Sequence, residues 1–212
     1  ISLAHHGVLF LDEIPEYPRS VLEALRQPLE DRVISVARAN SQVTYPAHFM
    51  LVATMNPCPC GYYGDPEHEC SCSMSQILNY QKRLSGPLLD RIDMIIPVSR
   101  IPHEQLLDSR LSSETQHMSA QNTIENARNI QSQRYSSSKK SNSSLNNSEV
   151  KRFVQLSPTT KVFLDSAATK LKLSARSYFK IIKVARTIAD IEASETVEIP
   201  HIAEALQYRQ VT

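Results

Sequence analysis

The sequence predicts an α/β core followed by a smaller all-helical unit, and three observations carry that prediction. Gly7 to Glu13 reads Gly-Val-Leu-Phe-Leu-Asp-Glu, an uninterrupted apolar run ending in two adjacent carboxylates. A run without alternation is the pattern of a strand buried on both faces of a parallel sheet. Phe49 to Ala53 repeats it and ends at Thr54-Met55-Asn56-Pro57. After Ser157, apolar residues recur at helical spacing in three successive segments.

In open α/β sheets, ligands bind beyond the carboxyl ends of the strands. Asp12 and Glu13 therefore stand where chemistry is placed, and the pair suggests a division of labour. One carboxylate holds Mg²⁺ while the next orients or deprotonates an attacking water. The competing reading is an ordinary acidic loop after a core strand. Asn56 ends the second strand with an amide that can both donate and accept, suited to an attacking water and a γ-phosphate oxygen. Its competing reading is a cap on the turn before Pro57.

Between these strands, Arg19 to Leu29 has helical spacing, with Pro28 near its end. Val33 to Ala37 and Gln42 to Tyr45 read as a hairpin joined by Arg38-Ala39-Asn40-Ser41. All four cysteines then fall within positions 58–72, as Cys58, Cys60, Cys70 and Cys72. Four thiolates satisfy a closed, structural, tetrahedral Zn²⁺ site, with disulfides as the rival and His68 as a substitute ligand. Ser75 to Leu84 reads as a helix, and Met94 to Val98 as the last strand of the sheet.

Composition limits the rest. A net charge of +1 over 212 residues implies no global attraction to nucleic acid or membrane, so any DNA contact needs a local patch. With 41% hydrophobic residues the chain can build one large or two small domains. No apolar run approaches the roughly 18 residues of a membrane span. The cysteine usage fits a cytoplasmic protein whose thiols bind metal. Gln105 to Ser109 and Thr115 to Gln133 look helical but polar, and Tyr135 to Ser148, rich in Ser, Asn and Lys, reads as a flexible linker without a core residue. Ser157-Pro158 and Ser174 are helix starts, and Ile199-Pro200 opens a last helix.

The order Asp12-Glu13-Ile14-Pro15-Glu16, Leu25-Arg26-Gln27-Pro28-Leu29-Glu30-Asp31, Ala53-Thr54-Met55-Asn56-Pro57 and Ser85-Gly86-Pro87-Leu88-Leu89-Asp90-Arg91-Ile92-Asp93 resembles the AAA+ ATPases. Within them it is similar to the branch of magnesium chelatase I subunits and MCM-like helicases. The run Asn56 to Gly64, Leu173-Ser174-Ala175-Arg176 and Val184 to Asp190 bring it nearest to the magnesium chelatase-like ComM/YifB group. The resemblance implies ATP and Mg²⁺ as cofactors, Asp12 and Glu13 as the Walker B pair, Asn56 as sensor 1, Arg91 as an arginine finger toward a neighbouring subunit, and Arg176 as sensor 2. It implies a ring, of six subunits, and a hairpin that reaches DNA in the central pore, with Arg38 as the basic residue nearest its tip.

The domain boundaries expected are a partial AAA+ core at 1–101 with a zinc loop at 57–73, a polar connector and linker at 102–148, and a helical lid at 149–212. None of the four glycines (Gly7, Gly61, Gly64, Gly86) lies in the phosphate-loop pattern Gly-x-x-x-x-Gly-Lys-Ser/Thr. The chain therefore reads as the C-terminal part of a longer protein, inactive as an ATPase alone. The activity implied is helicase or branch migration in recombination or natural transformation. The alternatives are a chelatase-type motor acting on a metal-insertion partner, and a non-enzymatic zinc-bearing interaction module.

Overall fold

In the computed structural model the chain is described over residues 1–38, 41–98 and 114–209, without the side chains of Arg38, Ser41 and Glu114. It divides into two units, 1–92 and 93–212.

In the first unit the Gly7 to Glu13 run forms β1 (Val8–Leu11). A parallel partner for such a strand requires a crossover connection. The chain provides it through α1 (Arg19–Ala24), α2 (Arg26–Asp31), β2 (Val33–Arg38) and β3 (Ser41–Pro46) before β4 (Met50–Ala53). β1 and β4 pair in parallel, Val8 opposite Met50 and Leu11 opposite Ala53. β2 and β3 form the antiparallel hairpin, with Val36 opposite Val43.

The single helix expected at 19–29 is broken at Leu25. Pro28 accounts for this: in a continuous helix its ring would meet the carbonyl of Ala24, four residues back. With the helix restarted at Arg26, Pro28 falls in the first turn, where an N–H has no helical partner to lose. α3 (Met74–Gln81) starts on a reciprocal cap between Ser73 and Gln76. α4 (Gly86–Leu89) starts on Ser85, whose hydroxyl accepts from the Leu88 amide. Ile14, Leu22, Leu25, Leu84 and Leu88 form the core, with Leu9 and Leu11 of β1 against it.

Two expectations are corrected here. The apolar strands are not covered on both faces among the described residues: Leu9 and Leu11 pack inward, while Phe10 is 57% and Met50 63% exposed. The alternation is in burial, and an all-apolar sequence hides it. Met94 to Val98 forms no strand. Its Ile95 amide donates to the Tyr208 carbonyl at 2.8 Å, in the second unit, and Ile96 and Val98 are exposed.

The second unit contains α5 (Glu114–Tyr135), α6 (Asn147–Phe153), α7 (Pro158–Lys170), α8 (Ala175–Ile191) and α9 (Ile199–Gln207). α8 is the central element, packed by α5, α6 and α9. Its Ile181, Ile182, Ala185 and Ala189 are buried with Leu164, Val197 and Ile202. Ser157 and Ser174 cap α7 and α8, their hydroxyls accepting from Thr160 and Ser177 amides.

The flexible linker expected at 135–148 is also corrected. Leu145 is 2% and Asn142 2% exposed, and both are held in place. The Asn142 amide nitrogen Nδ2 donates to Asp190 at 2.8 Å and Thr187 at 3.0 Å, its Oδ1 accepts from Tyr135 Oη at 2.5 Å, and its backbone N–H reaches Gln131. The helix expected at Gln105–Ser109 lies outside the described residues.

Candidate functional site

The carboxyl ends of β1 and β4 bring Asp12, Glu13, Thr54 and Asn56 together. The Thr54 backbone couples the two strands: its N–H donates to Leu11 O at 3.0 Å, and its carbonyl accepts from Ile14 at 2.9 Å. The Thr54 hydroxyl donates to the Asp12 carboxylate and accepts from the Glu13 amide at 3.0 Å. Glu13 itself adopts a left-handed backbone, φ 48° and ψ 53°. A non-glycine residue held there costs about 1–3 kcal/mol, a strain that clusters at functional sites. The turn projects the Glu13 carboxylate to Asn56, whose Nδ2 lies 3.4 Å from Oε1. All four residues are exposed, so a ligand can reach them.

Thr54 was given no role by sequence reasoning. Its only signal was its place two residues before Asn56 at a strand end, a place where side-chain hydroxyls also serve as plain turn caps.

Arg91 is held within its own unit. Its Nε donates to Arg26 O at 3.0 Å, one terminal nitrogen to Pro87 O at 2.6 Å, and the other to the Glu30 carboxylate. Arg91 thus pairs with Glu30, and in the second unit Asp93 pairs with Lys180 at 2.8 Å. Arg176 lies in the first turn of α8, in the second unit. Arg38 ends β2, and its side chain lies outside the described residues.

The cysteine cluster forms one compact group. The sulfur atoms of Cys58, Cys60, Cys70 and Cys72 all lie within 4.8 Å of one another. Cys58–Cys60 is 3.4 Å, Cys60–Cys70 3.5 Å and Cys58–Cys70 3.7 Å. These are far beyond a bonded S–S distance of about 2.05 Å. They lie close to the edge of about 3.8 Å that a tetrahedron of Zn–S bonds near 2.3 Å requires. The donor set and its geometry therefore fit a metal ion of the zinc type. Gly61 and Gly64, both at φ 83°, provide the left-handed turns that the short loop needs.

The group is also electrostatically prepared. The Tyr62 amide draws the Cys60 thiol down to about 5. For Cys70, a pull from the Cys72 backbone is outweighed by burial and by the Cys60 and Cys58 sulfurs, and the thiol is pushed up to about 12. Four crowded sulfurs resist ionising together unless a cation neutralises them. His68, the substitute ligand considered from sequence, pairs with Asp65 at 3.5 Å and stacks on Tyr62; the four-thiol group forms without it.

A small parallel sheet with an acidic pair and an asparagine at its carboxyl end, joined to a helical unit, is the arrangement of an AAA+-like fragment. The chain belongs to the magnesium chelatase-like family that contains ComM and YifB. A family model described as magnesium chelatase, subunit ChlI, matches residues 1–106, and one described as its C-terminal part matches residues 113–209. The competence protein ComM of Haemophilus influenzae is 45% identical over 209 residues, covering 99% of this chain and 40% of that protein. The uncharacterized protein YifB of Escherichia coli is 39% identical over 211 residues, covering 100% of this chain and 40% of that protein. An uncharacterized protein of Mycobacterium tuberculosis is 35% identical over 211 residues, covering 99% of this chain and 41% of its own length. The chain thus spans about two-fifths of the length of these relatives. Among the described residues no helix is long and apolar enough to cross a membrane.

Proposed function

We propose that this chain carries the hydrolytic carboxylates and helical lid of a Mg²⁺-dependent AAA+ ATPase, and that the intact protein is a ring-forming motor acting on branched DNA. The convergence of Asp12, Glu13, Thr54 and Asn56 at the ends of two parallel strands carries this reading. Asp12, steadied by Thr54, is the carboxylate for Mg²⁺, which when bound neutralises charge developing on the transferred phosphoryl group. Glu13 is the general base, held by its left-handed turn toward the position an attacking water takes. Asn56 reports on that water through its amide. The phosphate-cradling glycine loop is not among the residues of this chain, so the activity is one of the whole protein.

Arg91 is the residue offered to a neighbouring subunit's nucleotide, its guanidinium positioned by Glu30 and two main-chain carbonyls. Arg176 contacts the γ-phosphate from the lid. The four thiols hold a structural zinc ion that stiffens the loop following Asn56, and Arg38 stands nearest the hairpin tip that meets DNA. Proposed domain limits follow the same division: core and zinc loop first, lid last.

The test is ATP hydrolysis by the full-length protein, with and without forked DNA, for wild type and Glu13→Gln. DNA-stimulated hydrolysis that Glu13→Gln abolishes, with nucleotide binding retained, is the expected result. Hydrolysis unaffected by that substitution would remove the site. The chelatase description of both matching family models favours a second reading, a motor working on a metal-insertion partner. It predicts hydrolysis indifferent to DNA and stimulated by that partner.

A further inference from the structure

The turns that carry Glu13 and Asn56 are joined through Thr54, and both are also held by a third element, the end of α3. That helix finishes at Gln81 and is followed by Lys82 and Arg83, the Arg83 N–H returning to the Tyr80 carbonyl at 3.1 Å. The Gln81 amide Nε2 donates to the Pro57 carbonyl at 3.2 Å, one residue beyond Asn56. One terminal nitrogen of Arg83 donates to the Pro15 carbonyl at 3.1 Å and to the Glu16 carboxylate at 2.7 Å. Two side chains, two positions apart, therefore reach the two turns that meet at the candidate site.

The end of α3 is itself anchored. Tyr80 is buried, the Arg83 guanidinium lies over its ring at 5.8 Å from the centroid, and Leu84 enters the core of the unit. Burial raises the Tyr80 hydroxyl above its ordinary value, the Glu16 charge adds to this, and the Asn56 backbone works against it. Tyr80 thus stands beside both turns. Within the Arg83 contacts, the ion pair with Glu16 is half-exposed on both sides, and such a pair contributes little. The contact with the Pro15 main chain is partly buried and is the one that constrains the turn. A left-handed residue such as Glu13 persists only where its surroundings over-determine it. Thr54 fixes the Glu13 and Ile14 amides on one side, and Arg83 fixes Pro15 and Glu16 on the other.

We propose that Arg83 and Gln81 are positioning residues of the ATPase site: Arg83 holds the turn that aims Glu13, Gln81 holds the turn that carries Asn56, and α3 sets the spacing between them. This rests on the proposed roles of Glu13 and Asn56 and adds two residues that act through the main chain of each turn.

The experiment measures kcat, affinity for a non-hydrolysable ATP analogue and thermal unfolding of the full-length protein. Wild type is compared with Arg83→Ala, Arg83→Lys, Gln81→Ala, Glu16→Gln, Glu13→Gln and, as a control at the exposed residue between the two, Lys82→Ala. Arg83→Ala should lower kcat about tenfold to a hundredfold, the cost of a misplaced reacting group, with nucleotide affinity and unfolding temperature unchanged. Arg83→Lys keeps a cationic donor and should recover part of the loss. Gln81→Ala should lower kcat about two- to tenfold, the worth of one hydrogen bond. Glu16→Gln should stay within about fivefold of wild type, and Lys82→Ala should match it. An unchanged kcat in Arg83→Ala, or a loss matched in affinity or thermal stability, overturns the positioning role, while wild-type hydrolysis that depends on Glu13 keeps the ATPase reading standing. Activity regained on mixing Arg83→Ala with Glu13→Gln subunits would place Arg83 at a neighbour's nucleotide and also overturn it. A wild type whose hydrolysis is absent, or indifferent to Glu13→Gln, overturns both.

Discussion

The second unit is organised around a buried carboxylate, and removing it gives the sharpest test of how the unit holds together. The Asp190 side chain is fully buried and accepts from Arg134, from Arg186 Nε at 3.1 Å and from Asn142 at 2.8 Å. Arg186 is 1% exposed, so Asp190→Ala strands a buried guanidinium. Breaking a buried pair from one side costs about 3–5 kcal/mol. Arg134 retains 17% side-chain exposure and recovers some hydration, which favours the lower half of that range. Asp190→Asn keeps the volume and one acceptor and should cost less, about 1.5–3 kcal/mol. The double variant Arg186→Met, Asp190→Leu should cost less than Asp190→Ala alone, because no charge is stranded. A residue remains, since Arg186 also donates to the carbonyls of Ser194 and of Glu195, the latter at 2.7 Å. Urea unfolding followed by helical circular dichroism measures all three. A cost below about 1 kcal/mol for Asp190→Ala, or a double variant less stable than that single one, would refute the argument from stranded charge.

Thr54→Ala should lower ATP turnover of the full-length protein about tenfold to a hundredfold with nucleotide affinity retained, by the usual cost of a misplaced catalytic group; Thr54→Ser should restore it, and an equal loss in both would remove the hydroxyl from the argument. Reduced protein should take up one zinc ion per chain, with proton release, and Cys58→Ser should abolish tight uptake; cobalt absorption reads the thiolate ligation. Glu30→Gln should lower stability modestly yet leave hydrolysis within a few-fold of wild type, whereas Arg91→Ala should cost about 10³-fold or more if the arginine acts on a neighbouring nucleotide. Glu149 is lowered from its ordinary value by Lys140 and the Asn146 amide. Its stabilising contribution is present above the unfolded carboxylate value of about 4.3 and lost as pH falls through the lower folded value; the stability gap between wild type and Glu149→Gln, followed by urea unfolding from pH 7 downward, should close at the acid end.

Residues whose position follows from chain direction were legible in the sequence. Apolar runs ending in Asp12-Glu13 and Thr54-Met55-Asn56 placed the polar groups at strand ends, and the helix caps Ser157 and Ser174 were readable from their own hydroxyls. What could not be read depends on partners far along the chain. Arg91 finds Glu30 across 61 positions, and no local pattern links them. That Leu9 and Leu11 are packed while Val8 and Phe10 are exposed could not be read either, because an all-apolar strand does not declare which face is packed.

The segment at 135–148 makes the same point more forcefully. A composition rich in Ser, Asn and Lys argues for disorder because such a chain buries too little apolar area to offset the entropy of ordering. Here the order comes from a different source. Asn142 satisfies both ends of its amide inside the unit, Leu145 fills the core beside α8, and Lys140 pairs with Glu149. A buried, fully satisfied amide costs little and excludes alternative packings, since any shift would leave Asn142 or Asp190 without partners. Arg186 belongs to the same network and carries the turn into α9 through Ser194 and Glu195. The polar residues that made this stretch look unstructured are therefore the ones that fix it on α8, the helix that also presents Arg176 and Lys180.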